Sequence, residues 1–262
     1  MLRVKSLSRH FGGLRAVDEV SFSIPNGSIT GLIGPNGAGK TTLFNVIAGF
    51  YPPTSGRVFL EDEDITEFSP HKLFECGVLR TFQIPHEFGS LSVMENLMMV
   101  PSGQNGERLL DVWFKPNLVK SRENQVRRRA DEVIEFLELK EVYRTPAKNL
   151  SGGQKKLLEL GRTMMVDAKI VFLDECGAGV NRTLLSKISD AIIRLNRERG
   201  YTFCMIEHDM DFITKLCNSV IVMSEGKILA VGTAEEIKRN ENVIDAYLGA
   251  TFNLNNNDTV SH

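Results

Sequence analysis

Residues 34–41 read Gly34-Pro35-Asn36-Gly37-Ala38-Gly39-Lys40-Thr41, with Thr42 next. Three glycines in six positions, then a lysine and a hydroxyl residue, leave few folds open. The apolar run Ile29-Thr30-Gly31-Leu32-Ile33 precedes them, and Leu43-Phe44-Asn45-Val46-Ile47-Ala48 reads as a buried helix after them. Strand, glycine loop and helix in that order make a phosphate cradle. Glycines let successive backbone N–H groups curl around phosphate oxygens, and the helix start adds the positive end of its dipole. Lys40 supplies a point charge to the β- and γ-phosphates, and Thr41 offers a hydroxyl to Mg²⁺. The loop alone implies nucleotide phosphate binding and leaves kinase, GTPase, helicase and transport ATPase open.

The chain around it has 262 residues, 31 Lys plus Arg against 33 Asp plus Glu, and a formal net charge of −2. That balance argues against wrapping nucleic acid by bulk electrostatics and against a polybasic hold on anionic lipid. Met1-Leu2-Arg3-Val4-Lys5 lacks the apolar core of a secretory signal, and no apolar stretch approaches the roughly 18 residues that span a bilayer. Any membrane connection is therefore expected to run through a partner. Cys76, Cys176, Cys204 and Cys217 show neither CxxC pairing nor metal spacing, and read as reduced thiols in a cytosolic protein.

Strand signals come first: Val20, Phe22 and Ile24 alternate with Ser21 and Ser23 before the turn at Pro25-Asn26-Gly27. Arg57 to Leu60 is a further strand candidate, followed by an acidic turn at residues 61–64. From about 85 to 150 the pattern turns helical, with Met94, Leu97 and Met98, then Val126, Val133, Ile134 and Leu137, at helical spacing. Arg127-Arg128-Arg129 reads as a solvated helix face, and Met94, Met98 and Met99 as packing. Short apolar strands at 170–173, 202–206 and 219–223 then alternate with helical segments, and Glu225-Gly226 looks like a hairpin turn into 227–231. Such alternation implies an α/β fold with a mostly parallel sheet. The polar end, residues 250–262, is expected to be a loose tail behind one domain over 1–249.

Ile170-Val171-Phe172-Leu173-Asp174-Glu175 is an apolar strand ending in two carboxylates. At the C-terminal edge of a parallel sheet they would face the phosphate loop. Asp174 suits Mg²⁺, and Glu175 could orient or deprotonate an attacking water.

Leu150-Ser151-Gly152-Gly153-Gln154 precedes a helical run that ends just before this acidic strand. A phosphate loop, this pentapeptide and an Asp-Glu strand, in this order, resemble the ABC-type ATPases, and the resemblance runs from Phe11 to about Leu248. It implies a P-loop NTPase (RecA-like) core, an N-terminal antiparallel β part and an inserted α-helical subdomain at about 85–150. It also implies that Phe11 stacks on adenine and that Gln83 senses Mg²⁺ and the attacking water. His208 is the implied γ-phosphate switch, and residues 178–181 the loop that communicates across a dimer. Ser151, Gly152, Gly153 and Gln154 would bind the γ-phosphate of ATP held by a second subunit, so each site would be built from two chains. Against the family pattern, Cys176 and Arg182 stand where proline is usual, and Asn181 where aspartate is usual. Cys176 is expected to loosen the backbone behind Glu175.

Residues 11–14 with Ala16-Val17, Arg80-Thr81-Phe82-Gln83, Ala178-Gly179-Val180-Asn181, Ile206-Glu207-His208-Asp209-Met210 and Tyr247-Leu248-Gly249 further resemble the LivG-type branch, the importers of branched-chain amino acids. Importers of urea or short amides share these features, and ATPases of lipopolysaccharide export share the Tyr-Leu-Gly ending. A soluble ABC ATPase and a small-molecule kinase are the alternatives outside transport. The resemblance implies ATP and Mg²⁺, a homodimer or a heterodimer with a paralogous ATPase, and integral-membrane permease subunits. A periplasmic or surface binding protein would act indirectly, nucleic acid would have no part, and the chain would sit at the cytoplasmic face of the cell membrane.

Overall fold

The computed structural model describes residues 1–81, 88–101, 116–177 and 179–247. They divide into two compact units, one formed by 1–80, 169–177 and the chain from 193 onward, the other by 81–168 and 178–192.

The first unit holds two sheets. β1 (Leu2–Phe11) and β2 (Leu14–Ile24) pair antiparallel across a tight turn at Gly12. β1 also pairs with β4 (Ser55–Leu60), giving the order β2-β1-β4-β5. The acidic stretch expected to be a turn is only half of one. Glu61 takes a positive φ of 58°, and Glu63 and Asp64 return as the two-residue strand β5, paired with Leu60 and Phe59.

The second sheet is ordered β10-β9-β3-β8-β7-β6. β3 (Ile29–Ile33), β6 (Val78–Arg80), β7 (Ile170–Asp174), β8 (Phe203–Ile206) and β9 (Ser219–Ser224) run parallel, and β10 (Lys227–Gly232) is the antiparallel edge. Every residue of β3, β7 and β8 is buried, which is why they read as unbroken apolar runs. β3 lies between β8 and β9, so the chain order reverses there, and ligands of open parallel sheets bind outside the strand ends at such a point. α1 (Lys40–Ile47) packs Leu43, Phe44, Val46 and Ile47 into the same core. The short α2 (Pro70–Glu75) leads into β6.

The second unit is helical. α3 (Val93–Met98) opens with a Ser92/Glu95 capping box, worth about 1 kcal/mol in such helices. α4 (Pro116–Phe136) buries Val126, Ala130, Val133 and Ile134, and α5 (Gly152–Met164) buries Leu157, Leu158, Leu160 and Met164. Gly161 lets these helices approach: a methyl group there would meet Leu137 Cδ1 at 2.8 Å and Val133 Cγ1 at 3.0 Å. Arg129 does not share the solvated face, because its guanidinium donates to Met164 O (2.9 Å) and Val166 O (3.0 Å) at the end of α5. Cationic donors suit the unsatisfied carbonyls of a helix C-terminus. Of the methionines, Met94 is buried, but Met99 is 58% exposed and packs little.

α6 (Arg182–Arg199) begins in this helical unit and ends in the sheet unit, where α7 (Met210–Leu216), α8 (Ala234–Lys238) and a helical turn at 241–247 follow. No helix among the described residues is long and apolar enough to cross a membrane.

Candidate functional site

The glycine loop is shaped by neighbouring backbone. Gly34 has φ +150° and Gly39 φ +96°. A Cβ on Gly34 would lie 2.1 Å from Met223 O, and one on Gly39 2.2 Å from Ala16 O. Any side chain would therefore push the loop off the strand ends that hold it. Glu225 (φ +49°) and Gly226 (φ +78°) form the turn between β9 and β10, with the two positive φ values of a type I′ hairpin. Gly226 N–H donates to Ala38 O (3.1 Å), and Asp18 N–H donates to Gly226 O (2.8 Å), so the hairpin clips the loop from one side.

α1 starts on Gly39, which brings no side chain to cap the first amides. Those donors suit an anion. Lys40 folds back and donates Nζ–H to Gly34 O (2.8 Å) and Pro35 O (3.0 Å). Burial pulls its pKa below the ordinary lysine value, opposed by the carboxylates of Glu175 and Asp174. A cavity of about 600 Å³ opens over the loop, lined by residues 14–16 and 36–42, Glu175, His208 and the 225–226 turn.

The acidic edge enters from β7 and β8. Asp174 closes β7, and its Oδ2 accepts from Arg80 Nη2 at 2.8 Å. Glu175 follows in the left-handed region at φ +49°, its N–H bonded to Ile206 O (2.9 Å). A non-glycine residue held there stores strain, a recurrent feature of active sites. Glu175 Oε1 lies 3.0 Å from His208 Nε2. Lys40, Glu175 and His208 thus converge on one cavity from the loop, β7 and β8. The Thr41 hydroxyl and the Asp174 carboxylate are hard oxygen donors of the kind Mg²⁺ takes beside substrate phosphates.

Behind this pair lies Glu207, which the sequence reading did not single out. It is buried, and its Oε1 accepts from Gly177 N–H (2.9 Å) and the Cys176 thiol (3.2 Å). Cys176 therefore tethers the backbone behind Glu175 through its thiol, where a looser backbone was expected. Burial raises the Glu207 pKa above 4.5, with the nearby Glu175 adding to the rise and Gly177, Cys176 and His208 opposing it. A carboxyl raised in the folded state stabilises below its unfolded pKa and loses that contribution as pH climbs through the folded value. Glu207→Gln should flatten the profile, gaining stability relative to wild type as pH rises above about 4.5. Urea denaturation at a series of pH values tests this; a difference that does not change with pH refutes it.

Phe11, the expected adenine platform, is 40% exposed at the end of β1. Tyr51 meets its ring edge-on at 5.5 Å, and the Arg9 guanidinium lies 4.6 Å from its centroid. In the helical unit, Ser151 caps α5 by a reciprocal box with Gln154: Ser151 N–H donates to Gln154 Oε1 at 3.0 Å, and Gln154 N–H to Ser151 Oγ at 3.4 Å. Gly153 is required by packing, since a Cβ there would sit 1.6 Å from Leu184 Cδ2, whereas a Cβ on Gly152 would meet nothing within 4 Å. Asn181 caps α6 through Oδ1, which accepts from Leu184 N–H at 3.0 Å; aspartate caps a helix in the same way. Gln83 and Ala178 lie outside the described residues.

Residues 17–178 match the ABC transporter family. The chain belongs to that family. Residues 227–253 of this cassette match a second family, branched-chain amino acid ATP-binding cassette transporter. A probable branched-chain amino acid transport ATP-binding protein LivG of Archaeoglobus fulgidus is 40% identical over 254 residues, covering 95% of this chain and 96% of that protein. The high-affinity branched-chain amino acid transport ATP-binding protein BraF of Pseudomonas aeruginosa is 36% identical, covering 95% and 98%. Among solved structures, a nucleotide-free ATP-binding cassette from an ABC transporter superposes with a TM-score of 0.81 at 37% identity, covering 94% of the cassette and 98% of that chain. An ADP-bound cassette of an ABC transporter gives 0.81 at 36% identity, covering 95% and 98%.

Proposed function

We propose that the cassette is the ATP-hydrolysing subunit of an importer of branched-chain amino acids, acting on permease subunits from the cytoplasmic face of the membrane. The observation that carries the hydrolytic reading is the convergence of Lys40, Glu175 and His208 on the cavity over the phosphate loop. The amides of 37–41 and the Lys40 ammonium bind the β- and γ-phosphates. Thr41 and Asp174, with Gln83, hold Mg²⁺, which offsets phosphate charge when bound. Glu175 takes the proton of the attacking water, and His208, 3.0 Å away, steadies that carboxylate and contacts the γ-phosphate. Phe11 stacks on the base.

Ser151 and the amides of Gly152 to Gln154 act on ATP held by a second cassette, whether a copy of this chain or a paralogue. The space beside Gly152 supports this: among the described residues nothing lies within 4 Å of a Cβ placed there, which leaves room for a partner's phosphate. The branched-chain substrate rests on the names of the relatives and on the match of residues 227–253.

Three measurements test the reading. The purified cassette should release free phosphate from ATP with no acceptor added; phosphate appearing only on an added small molecule makes it a kinase. Membranes expressing it should yield, on co-purification, two permease subunits and a second ATPase, and import of labelled leucine should fail in a strain lacking the cassette. Co-purification with ribosomes, or leucine uptake that is undiminished, sinks the importer assignment.

A further inference from the structure

Arg80 touches the Asp174 carboxylate and, through Asn45, the helix that carries Thr41. It is the last residue of β6, which runs beside β7 with Arg80 in register with Phe172, two residues before Asp174. Its side chain is 7% exposed and that of Asp174 6%. Nη2 donates to Asp174 Oδ2 at 2.8 Å, and Nη1 donates to Asn45 Oδ1 at 2.5 Å. Asn45 lies on α1, the helix whose first turn carries Thr41. The rings of Phe44 and Phe50 lie 5.9 Å and 5.8 Å from the guanidinium carbon.

We propose that Arg80 is a positioning residue that clamps the Asp174 carboxylate to the Thr41-bearing helix and so fixes both oxygen donors of the cation site. A buried ion pair is a poor source of net stability, since apolar side chains of similar volume often serve as well or better. What a planar guanidinium does well is hold two acceptors at once in a set geometry. With Oδ2 committed to Arg80, the direction in which Oδ1 offers its lone pairs is set. The aromatic flanks limit the swing of the guanidinium.

The inference rests on the reading of Asp174 and Thr41 as cation donors, and its test does not depend on turnover alone. Full-length wild type, Arg80→Met and Arg80→Lys are compared in three assays: ADP binding in EDTA, Mn²⁺ binding to the ADP complex by calorimetry, and Mg²⁺-dependent ATP turnover. With Arg80→Met, ADP affinity in EDTA stays within twofold, Mn²⁺ affinity falls at least fivefold and kcat at least tenfold. Arg80→Lys keeps the charge but cannot span both acceptors, so its Mn²⁺ affinity falls between the two. Removing a nearby positive charge would by itself raise cation affinity. A rise in Mn²⁺ affinity in Arg80→Met therefore overturns the clamp. So does unchanged Mn²⁺ affinity in a folded methionine variant or, if that variant does not fold, a lysine variant indistinguishable from wild type. If wild type hydrolyses no ATP while the Mn²⁺ pattern holds, the hydrolytic reading fails and the clamp stands.

Discussion

Replacing Glu175 by glutamine cuts ATP turnover by about 10² to 10⁴-fold, the range a positioned general base supplies, and leaves ATP binding in place. The geometry predicts this separation. Glu175 is one residue past Asp174, in a left-handed conformation secured by its bond to Ile206 O, with its carboxylate on the cavity wall beside His208. Glutamine has the same shape and can still meet His208, but it cannot take a proton from water. The phosphate loop is untouched, so nucleotide still binds, and two cassettes joined by uncleaved ATP should accumulate as a dimer in light scattering. Turnover at the wild-type rate would falsify the base assignment.

The second large effect is Lys40→Met, which should weaken ATP binding about 100-fold, equivalent to roughly 2.7 kcal/mol. The stem of the side chain remains, but the charge facing the phosphates is gone, and Gly34 O and Pro35 O lose the donor that holds them at 2.8 and 3.0 Å. Stability should respond differently. Burial depresses the Lys40 pKa, so the unfolded chain binds this proton more tightly. The folded protein therefore gains stability as pH rises through the depressed value towards 10.5. The methionine variant lacks that alkaline gain. Fluorescence titration with a nucleotide analogue reads the first effect and denaturant melts between pH 7 and 10.5 the second. Binding within threefold of wild type removes Lys40 from the phosphate site.

Much of this arrangement was legible in the residues, and what escaped did so for definable reasons. β3 stands at 29–33 as read, because a strand buried on both faces is a continuous apolar run ended by glycine. β7 follows the same logic, with its acids at the end. β6 escaped because three residues, Val78-Leu79-Arg80, are too short to show a period. β5 escaped because Glu63 and Asp64 have poor strand propensity and pair only through their backbone with β4.

At the site, the loop and the Asp-Glu pair carried their chemistry in their spacing. Arg80 and Glu207 did not, since each matters through partners distant in sequence: Asp174 and Asn45 for one, Cys176 and Gly177 for the other. A charged residue closing an otherwise apolar strand was the available signal for both. Cys176 shows the limit of reading a missing proline as slack, because a thiol donor on a buried carboxylate restrains the same segment.

The hairpin clip on the glycine loop bears on how the protein is made. Residues 34–41 leave the ribosome early, but the atoms that shape them come much later: Met223 O against Gly34, and Gly226 N–H on Ala38 O. β8 and β9, which flank β3, arrive in the same late stretch. A nascent chain halted before residue 203 carries the whole glycine run yet lacks these restraints. The cradle therefore takes its folded shape only once β8, β9 and the 225–226 turn have been made, and ATP can act as a ligand that selects chains that have them.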